Sequence, residues 1–241
     1  MLARQLEGET YTGSEQYQAW NSRLAQPNIL LDEGPFRLGR KVRIPLKNRY
    51  FIWRHGESEA NISNVIVSKP ENGIDNFGLT EAGIRQVRRQ ATITHLLSRG
   101  IFGPDGLIYS SPFLRCIQTA EVIAQVTGLA EITVANELRE RDFGELEGKH
   151  TSWYGVVYDL DKAYPSHNFF GVENTDEVSE RVTVLVRDLE DRYERRKIIL
   201  VTHADVGEIL QTAFLGLPPQ AHRELPKLGN SELRELRPRY A

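Results

Sequence analysis

The stretch Tyr50-Phe51-Ile52-Trp53-Arg54-His55-Gly56-Glu57 decides the fold prediction, because an apolar run ends abruptly in charged and imidazole side chains. Four apolar residues bounded by polar ones predict a short buried strand. Open α/β sheets bind ligands at the carboxyl ends of their strands, which is where Arg54 and His55 stand. An arginine offers a planar fork of donors that suits phosphate, and a histidine ring nitrogen is a nucleophile. The stretch therefore predicts a strand that ends in a phosphate-binding and nucleophilic pair.

From residue 49 onward the sequence alternates strand-like and helix-like segments. The predicted strands are Tyr50–Trp53, Gly106–Tyr109, Ile132–Val134, Ile198–Val201 and an edge strand over Glu232–Leu236. The predicted helices run from an N-cap at Thr80 to about Leu97, from Pro112 in a first turn to about Val126, over 176–194 and over Val206–Leu215. This alternation predicts an α/β fold, a three-layer α/β/α sandwich with a mostly parallel sheet. The aromatic-rich segment 146–175 interrupts it and predicts a helical cap over the pocket.

Size and composition restrict the class of protein. The chain has 241 residues, of which 40% are hydrophobic and 26% charged, as is typical of a globular protein. No window approaches the ~20 uninterrupted apolar residues of a membrane helix, and the N-terminal residues lack the apolar region of a secretory signal. A net charge of −3 disfavours general nucleic-acid binding. The single cysteine, Cys116, excludes an internal disulfide. We therefore expect a cytoplasmic protein without nucleic-acid or membrane partners.

The periodicity of the sequence divides the chain into two parts. Residues 1–48 show no sustained periodicity and end in a basic stretch over 37–43. We expect them to form an N-terminal extension or arm, either solvated or packed on the rest of the protein. Residues 49–241 are expected to form one domain.

Four segments carry the groups that phosphoryl transfer to nitrogen requires. Arg54 and His55 end the first strand, Arg115 lies in the helix after the second, and His203 follows the fourth. Glu140 lies in a charged loop between them. Because parallel strands end at one edge of a sheet, these groups can converge despite their distance in sequence.

In the order of these motifs, the chain resembles the histidine phosphatase superfamily. Within that superfamily it resembles the phosphoglycerate mutase-like branch with the Arg-His-Gly motif. The resemblance covers about residues 49–237. It rests on five runs in family order, which are 54–61, 79–83, 110–121, 138–148 and 201–203. One short match is weak evidence, whereas five in sequence are specific. The resemblance implies a phosphoglycerate mutase-like fold and a histidine phosphatase domain over 49–241.

The resemblance also implies a role for each site residue. His55 is expected to be the nucleophile that forms a phosphohistidine. Glu140 is expected to protonate the leaving alkoxide and then to activate water. The residues expected around the phosphoryl group are Arg54, Asn61, Arg115 and His203, with the backbone N–H of Ala204 and with Ser58 at the rim. Since the arginines supply positive charge, no metal and no other cofactor is expected.

Three functions fit these residues. The first is a metal-independent phosphatase that hydrolyses phosphomonoesters, with a small phosphorylated metabolite as substrate. The second is phosphoglycerate mutase-type phosphotransfer, an isomerase reaction. The resemblance implies a long insertion after Glu140 in mutases, whereas about 60 residues separate Glu140 here from the strand before His203. The third is a non-catalytic phospho-ligand or protein-binding module. Hydrolysis is favoured, and homo-oligomerisation stays open.

Two further predictions concern the surroundings of the pocket. Many relatives have glycine after the second histidine, whereas this chain has Ala204-Asp205. We expect the Asp205 carboxylate to turn away or to pair with an arginine. The pocket rim is expected from residues 62–78 and 146–175. A second anionic group on the substrate would be favoured by Lys69, Lys149, His150 and Lys162.

Overall fold

A computed structural model describes residues 46–97, 103, 106–129 and 131–238 of the chain. In this part of the chain the strands are β1 (Arg49–Arg54), β2 (Gly106–Ser110), β3 (Ile132–Val134), β4 (Lys197–Thr202) and β5 (Leu233–Leu236). The α-helices are α1 (Glu59–Ile62), α2 (Pro70–Gly73), α3 (Glu81–Leu97), α4 (Leu114–Thr127), α5 (Trp153–Ala163), α6 (Thr175–Arg192) and α7 (Ala204–Leu215). Short 3-10 helices span Asn136–Leu138, Gly144–Leu146, Phe169–Gly171 and Pro219–Glu224. The predicted arm lies outside the described residues, except for residues 46–48.

The strands form one sheet in the order β3-β2-β4-β1-β5. The four strands β1 to β4 run parallel, and β5 pairs antiparallel with β1 at one edge. The predicted mostly parallel sheet with β5 as an edge strand is therefore confirmed. Among the described residues, no helix combines the length and the apolar composition that crossing a bilayer requires.

The sheet separates two hydrophobic cores, as the alternation of side chains along its strands dictates. Tyr50 and Ile52 of β1 belong to the core that α6 and α7 cover, together with Ile198 and Leu200 of β4. Trp53, the next residue of β1, belongs to the core under α3 and α4. Helices thus cover both faces, and the three-layer α/β/α prediction is confirmed.

The pairing of β1 with β4 places the two histidine motifs side by side. Arg54 is in register with Thr202, the last residues of their strands. His55 and His203 therefore leave neighbouring strands at the same edge of the sheet. Convergence of these motifs follows from parallel topology.

The helix that carries Arg115 begins later than predicted. Pro112 lies before α4 rather than in its first turn, and Phe113 is the N-cap with an extended backbone. The C-terminus agrees with the prediction, since Gly128 adopts a left-handed conformation, with φ of 75°, directly after the helix. Glycine adopts this conformation without steric cost.

Candidate active site

His55 follows β1 directly and is almost completely buried. Its Nδ1 lies 2.7 Å from the carbonyl oxygen of Gly56, so Nδ1 carries the proton and donates it to this oxygen. Arg115 Nε donates to Nε2 of the same ring at 3.2 Å. Nε2 therefore holds a lone pair, as a nucleophile requires. Burial lowers the pKa of His55 well below its usual value, and the charges of Arg115 and Arg54 lower it further.

Arg115 lies in the first turn of α4 and is buried. Its Nη2 donates to the carbonyl oxygen of Val67 at 3.0 Å and to Nδ1 of His203 at 3.1 Å. Its guanidinium also lies over the ring of Phe113, 5.0 Å from the centroid. Its Nη1 donates to no described residue. Arg115 thus contacts both histidine rings and keeps one nitrogen available to a ligand.

His203 is the N-cap residue of α7 and has no exposed surface. Because Arg115 donates to Nδ1, Nε2 carries the ring proton and donates to Ser111 Oγ at 2.9 Å. The ring centroid lies 5.3 Å from that of His55. Burial lowers the pKa of His203 well below its usual value, with Arg115 and His55 adding to the effect. A neutral, buried His203 therefore accepts a hydrogen bond from Arg115 and helps to hold its guanidinium in place.

Two glycines let the loop after β1 approach α3 closely. A Cβ on Gly56 would lie 2.8 Å from the carbonyl oxygen of Gly83 and from a methyl group of Val87. A Cβ on Gly83 would lie 2.0 Å from the carbonyl oxygen of Glu57. The predicted cap at Thr80 is confirmed, since its Oγ1 accepts from the backbone N–H of Gly83 at 2.9 Å. Helix α3 thus fixes the backbone next to His55.

Ser58 and Asn61 belong to the turn that follows His55 and Gly56. Ser58 is the N-cap of α1, and Asn61 is the third residue of this helix. The Oδ1 atom of Asn61 accepts from the backbone N–H and from the Oγ of Ser58, both at 3.1 Å. This reciprocal cap places Asn61 beside the phosphate-binding candidates.

Glu140 lies in the loop after β3 and is buried. Its Oε1 accepts from the backbone N–H of Arg141 at 3.0 Å. Its Oε2 lies 3.4 Å from Nδ1 of His203 and 3.7 Å from Nη2 of Arg115. Burial, assisted by the Asp205 carboxylate and opposed by Arg115, raises the pKa of Glu140 to about 7. A carboxyl group with this pKa is suited to both donating and accepting a proton near neutral pH.

Ion pairs with residues outside the sequence motifs hold the loop that carries Glu140. Arg141 is fully buried and donates to both carboxylate oxygens of Asp161 in α5, each at 2.7 Å. Glu173 accepts from Arg139 of the same loop at 2.9 Å. The loop is therefore tied to α5 and to the segment before α6, which determines where the Glu140 carboxyl lies.

These residues surround a cavity of about 100 Å³. Of the predicted site residues, those that line it are Arg54, His55, Ser58, Asn61, Arg115, Glu140 and Ala204. His203 is not part of the lining formed by the described residues and contacts Arg115 instead. The predicted rim segments supply Val65, Val67, Thr151, Tyr154 and Tyr158, whereas Ala60 and Phe143 were not predicted.

Helix α5 is the cap that the aromatic-rich segment predicts. Tyr154 and Tyr158 lie one turn apart on it, and both line the cavity. Their rings are stacked, with centroids 6.0 Å apart and an angle of 8° between the planes. Phe143 meets Tyr154 edge-on at 4.8 Å. The part of the cavity wall that α5 and Phe143 contribute is therefore aromatic.

Asp205 pairs with an arginine, which is one of the two arrangements that the sequence predicts for its carboxylate. Its Oδ1 accepts from Arg223 and, at 3.1 Å, from the hydroxyl of Tyr158. Arg223 Nη1 also donates to Glu208 at 3.0 Å. Two buried carboxylates thus balance the charge of Arg223.

The prediction of which cations lie at the cavity rim is wrong. Lys69, Lys149, His150 and Lys162 do not line the cavity, whereas Arg223 and Lys227 do. The reason is that α5 turns its tyrosines towards the cavity, whereas Lys149, His150 and Lys162 are exposed. Among the described residues, no group of three or more His, Cys, Asp or Glu side chains is placed to hold a metal ion.

Comparisons with known proteins agree with this geometry. The chain is 31% identical over 173 residues to agropine synthesis reductase of Rhizobium rhizogenes, covering 70% of this chain but only 35% of that protein. It is 26% identical over 192 residues to phosphoglycerate mutase-like protein 4 of Arabidopsis thaliana, covering 77% of each. The solved structure of a mycobacterial glucosyl-3-phosphoglycerate phosphatase with VO3 superposes with a TM-score of 0.61 and 25% identity, over 78% of this chain and 91% of that chain. The histidine phosphatase superfamily (branch 1) matches residues 50–240. This chain therefore belongs to that superfamily.

Proposed function

We propose that this protein is a metal-independent phosphomonoesterase that acts through a phosphohistidine at His55. One observation carries the proposal: Nε2 of His55 is unprotonated and meets Arg115 in the same cavity as Glu140, a carboxyl with a pKa of about 7. Nucleophile, cation and proton donor are thus within one small space. Phosphoryl transfer requires these three groups.

The reaction has two steps. In the first, Nε2 of His55 attacks phosphorus, the bond from phosphorus to the ester oxygen breaks, and the leaving oxygen takes the proton of Glu140. In the second, water attacks phosphorus, its proton passes to the Glu140 carboxylate, and the N–P bond breaks. The products are an alcohol and phosphate, and both residues regain their starting protonation states.

Two side-chain donors without a partner among the described residues support the binding of the phosphoryl group. Arg54 Nε and Arg115 Nη1 are buried and donate to no described residue. The Nη1 atom of Arg54 donates to the carbonyl oxygen of Leu228 at 2.8 Å, which holds the side chain in place. Ala204 begins α7, where backbone N–H groups have no partner within the helix and the dipole favours an anion. Preorganised donors of this kind stabilise charge on the equatorial oxygens.

The substrate we propose is a small phosphorylated metabolite. The related mycobacterial protein acts, by its name, on glucosyl-3-phosphoglycerate. Tyr154 and Tyr158 of the cap limit the space beside the phosphoryl position and offer an aromatic surface to the leaving group. The cytoplasmic location remains a prediction.

A phosphoglycerate mutase-type reaction is the second candidate, and the name of the Arabidopsis relative favours it. A mutase passes through a bisphosphate, which needs a second set of cations. Arg223 and Lys227 are the additional cations of the cavity. Both terminal nitrogens of Arg223 already donate to carboxylates, and a single exposed lysine contributes little. The charge distribution therefore favours hydrolysis over isomerisation. The presence of His55, Arg115 and Glu140 in one cavity favours hydrolysis over a non-catalytic binding module.

Hydrolysis of p-nitrophenyl phosphate in excess chelator tests the proposal. We expect wild-type turnover, an acid-labile phosphohistidine after rapid mixing with labelled substrate, and loss of both in His55→Ala. His150→Ala is the matched control, because His150 is exposed and does not line the cavity. Full activity in His55→Ala would refute the mechanism. Isomerisation of 3-phosphoglycerate, primed with 2,3-bisphosphoglycerate, that outpaces phosphate release would reverse the choice between phosphatase and mutase.

A further inference from the structure

The amide oxygen of Asn61 is fully occupied by donors. It accepts from the backbone N–H and the Oγ of Ser58, and from Nδ2 of Asn230 at 3.0 Å. An amide oxygen has two lone pairs, so it has no capacity left for another donor. Asn61 Nδ2 donates to no described residue, and Asn61 lines the cavity. The amide therefore presents its N–H groups, and not its oxygen, to a ligand.

We propose that Asn230 is a positioning residue for the phosphoryl site and acts by fixing the orientation of the Asn61 amide. The proposal rests on the proposed function, since it assumes that Asn61 donates to a phosphoryl oxygen. The two ends of an amide have nearly the same shape and opposite hydrogen-bonding character. A flip would turn the oxygen of Asn61 towards the anion, where it repels.

The contacts of Asn230 set its own orientation. Its Nδ2 faces two carbonyl-type oxygens, Asn61 Oδ1 at 3.0 Å and the backbone oxygen of His55 at 3.4 Å. Only an N–H group satisfies both. A flipped Asn61 would place its own N–H groups against Nδ2 of Asn230 and the N–H of Ser58, donor against donor. Asn230 and the Ser58 backbone together lock the productive orientation.

Asn230 belongs to a short stretch, here named the clamp segment (residues 228–231), which contacts the site at several points. The carbonyl oxygen of Leu228 accepts from Arg54 Nη1, and the backbone N–H of Ser231 donates to the carbonyl oxygen of His55 at 3.0 Å. Ser231 has φ of 59°, a left-handed conformation that non-glycine residues rarely adopt. Strained backbone of this kind persists where the surroundings enforce it, often at functional sites. The clamp segment therefore positions Arg54, His55 and Asn61, although it lies outside the five sequence runs shared with the family.

The substitution Asn230→Asp tests the proposal, because it keeps the shape and replaces the donor by an acceptor. We expect kcat/KM for p-nitrophenyl phosphate to fall about tenfold, the usual effect of one lost hydrogen bond to a charged group. The affinity for inorganic phosphate, measured by titration calorimetry, should fall by a similar factor. Asn76→Asp makes the same chemical change at an exposed position outside the cavity lining and should leave both values unchanged.

A double-mutant cycle separates positioning from a general structural effect. In the Asn61→Ala background, Asn230→Asp should lower kcat/KM by no more than about twofold, because the amide it orients is gone. The difference between wild type and Asn230→Asp should also shrink as the pH falls towards 4, since a protonated aspartate donates again. A full tenfold loss in the Asn61→Ala background, or no loss in the single variant, would overturn the proposal.

The two proposals fail in distinguishable ways. Absence of turnover in the wild type, or full activity in His55→Ala, overturns the proposed function alone. The titration with inorganic phosphate needs no turnover and still decides whether Asn230 sets the anion affinity through Asn61.

Discussion

Arg115 Nε donates a hydrogen bond of 3.2 Å to Nε2 of His55, so the arginine faces the unprotonated nitrogen of this ring. The same guanidinium reaches His203 through Nη2. One planar group thus contacts both histidine rings, and in the proposed mechanism it orients the nucleophile and offers charge to the phosphoryl oxygens.

The substitution Arg115→Lys should therefore be severe. A lysine keeps the charge but lacks the fork that reaches both rings, and we expect kcat/KM to fall at least roughly 100-fold, as for loss of a preorganised donor. Steady-state hydrolysis of p-nitrophenyl phosphate measures the effect. Arg85→Lys, on the exposed face of α3, should change it less than about twofold. Near-wild-type rates in Arg115→Lys would remove the arginine from the mechanism.

The pKa of Glu140 predicts an alkaline limit to activity. As the proposed proton donor, Glu140 must be protonated to release an alkoxide, and burial raises its pKa to about 7. With an alkyl phosphate, kcat/KM should stay level at mildly acidic pH and fall as pH rises above about 7. Glu140→Gln should lose this pH dependence and on the order of 10²–10⁴ in rate. An aryl phosphate, whose leaving group needs no proton, should be affected much less, and equal losses with both substrates would contradict the assignment.

Gly83→Ala should damage both stability and activity. The new Cβ would lie 2.0 Å from the carbonyl oxygen of Glu57, so α3 must move away from the loop that carries His55. We expect a loss of about 1–3 kcal/mol in the free energy of unfolding, measured in urea. Gly155→Ala in α5 is the matched control, because its Cβ would meet nothing within 4 Å. That variant should gain about 0.5–1 kcal/mol from helix propensity.

The buried pair of Arg141 and Asp161 predicts a stability change at low pH. Burial raises the pKa of the Asp161 carboxyl, but hydrogen bonds from Arg141 and His167 lower it by more, and the net value lies below the usual range. A depressed pKa contributes stability above the unfolded-state value of about 4, and the contribution is lost as the pH falls below it. Asp161→Asn should cost about 3–5 kcal/mol at pH 7. The difference from wild type should narrow at pH 3 in urea unfolding, and a constant difference would contradict the pairing.

The sequence predicts the sheet and the position of His55 at its edge well because both depend on short-range patterns. Apolar runs mark β1 and β4, and parallel pairing of these strands brings the residues after Arg54 and Thr202 together. The helix ends at Thr80 and Gly128 follow from local backbone chemistry. These features need no knowledge of the rest of the chain.

The wall of the cavity was harder to predict, because it depends on how irregular segments cross the sheet edge. Arg223 and Lys227 lie after α7 without a motif, and the structure brings them to the cavity in place of the lysines near the cap. The inward position of His203, behind Arg115, depends on a hydrogen bond to Ser111 that no spacing reveals. Asn230 matches no motif either, and its contact with Asn61 spans 169 residues.

The clamp segment has a consequence for how the protein folds. Its contact with His55 joins residues 175 positions apart, and we expect so long a loop to close after the local helices have formed. During refolding, the recovery of ellipticity should therefore precede the recovery of phosphate binding. Under the proposed function, catalytic activity would therefore return only when the tertiary structure is complete. An intermediate with its secondary structure formed but the clamp segment undocked would be inactive.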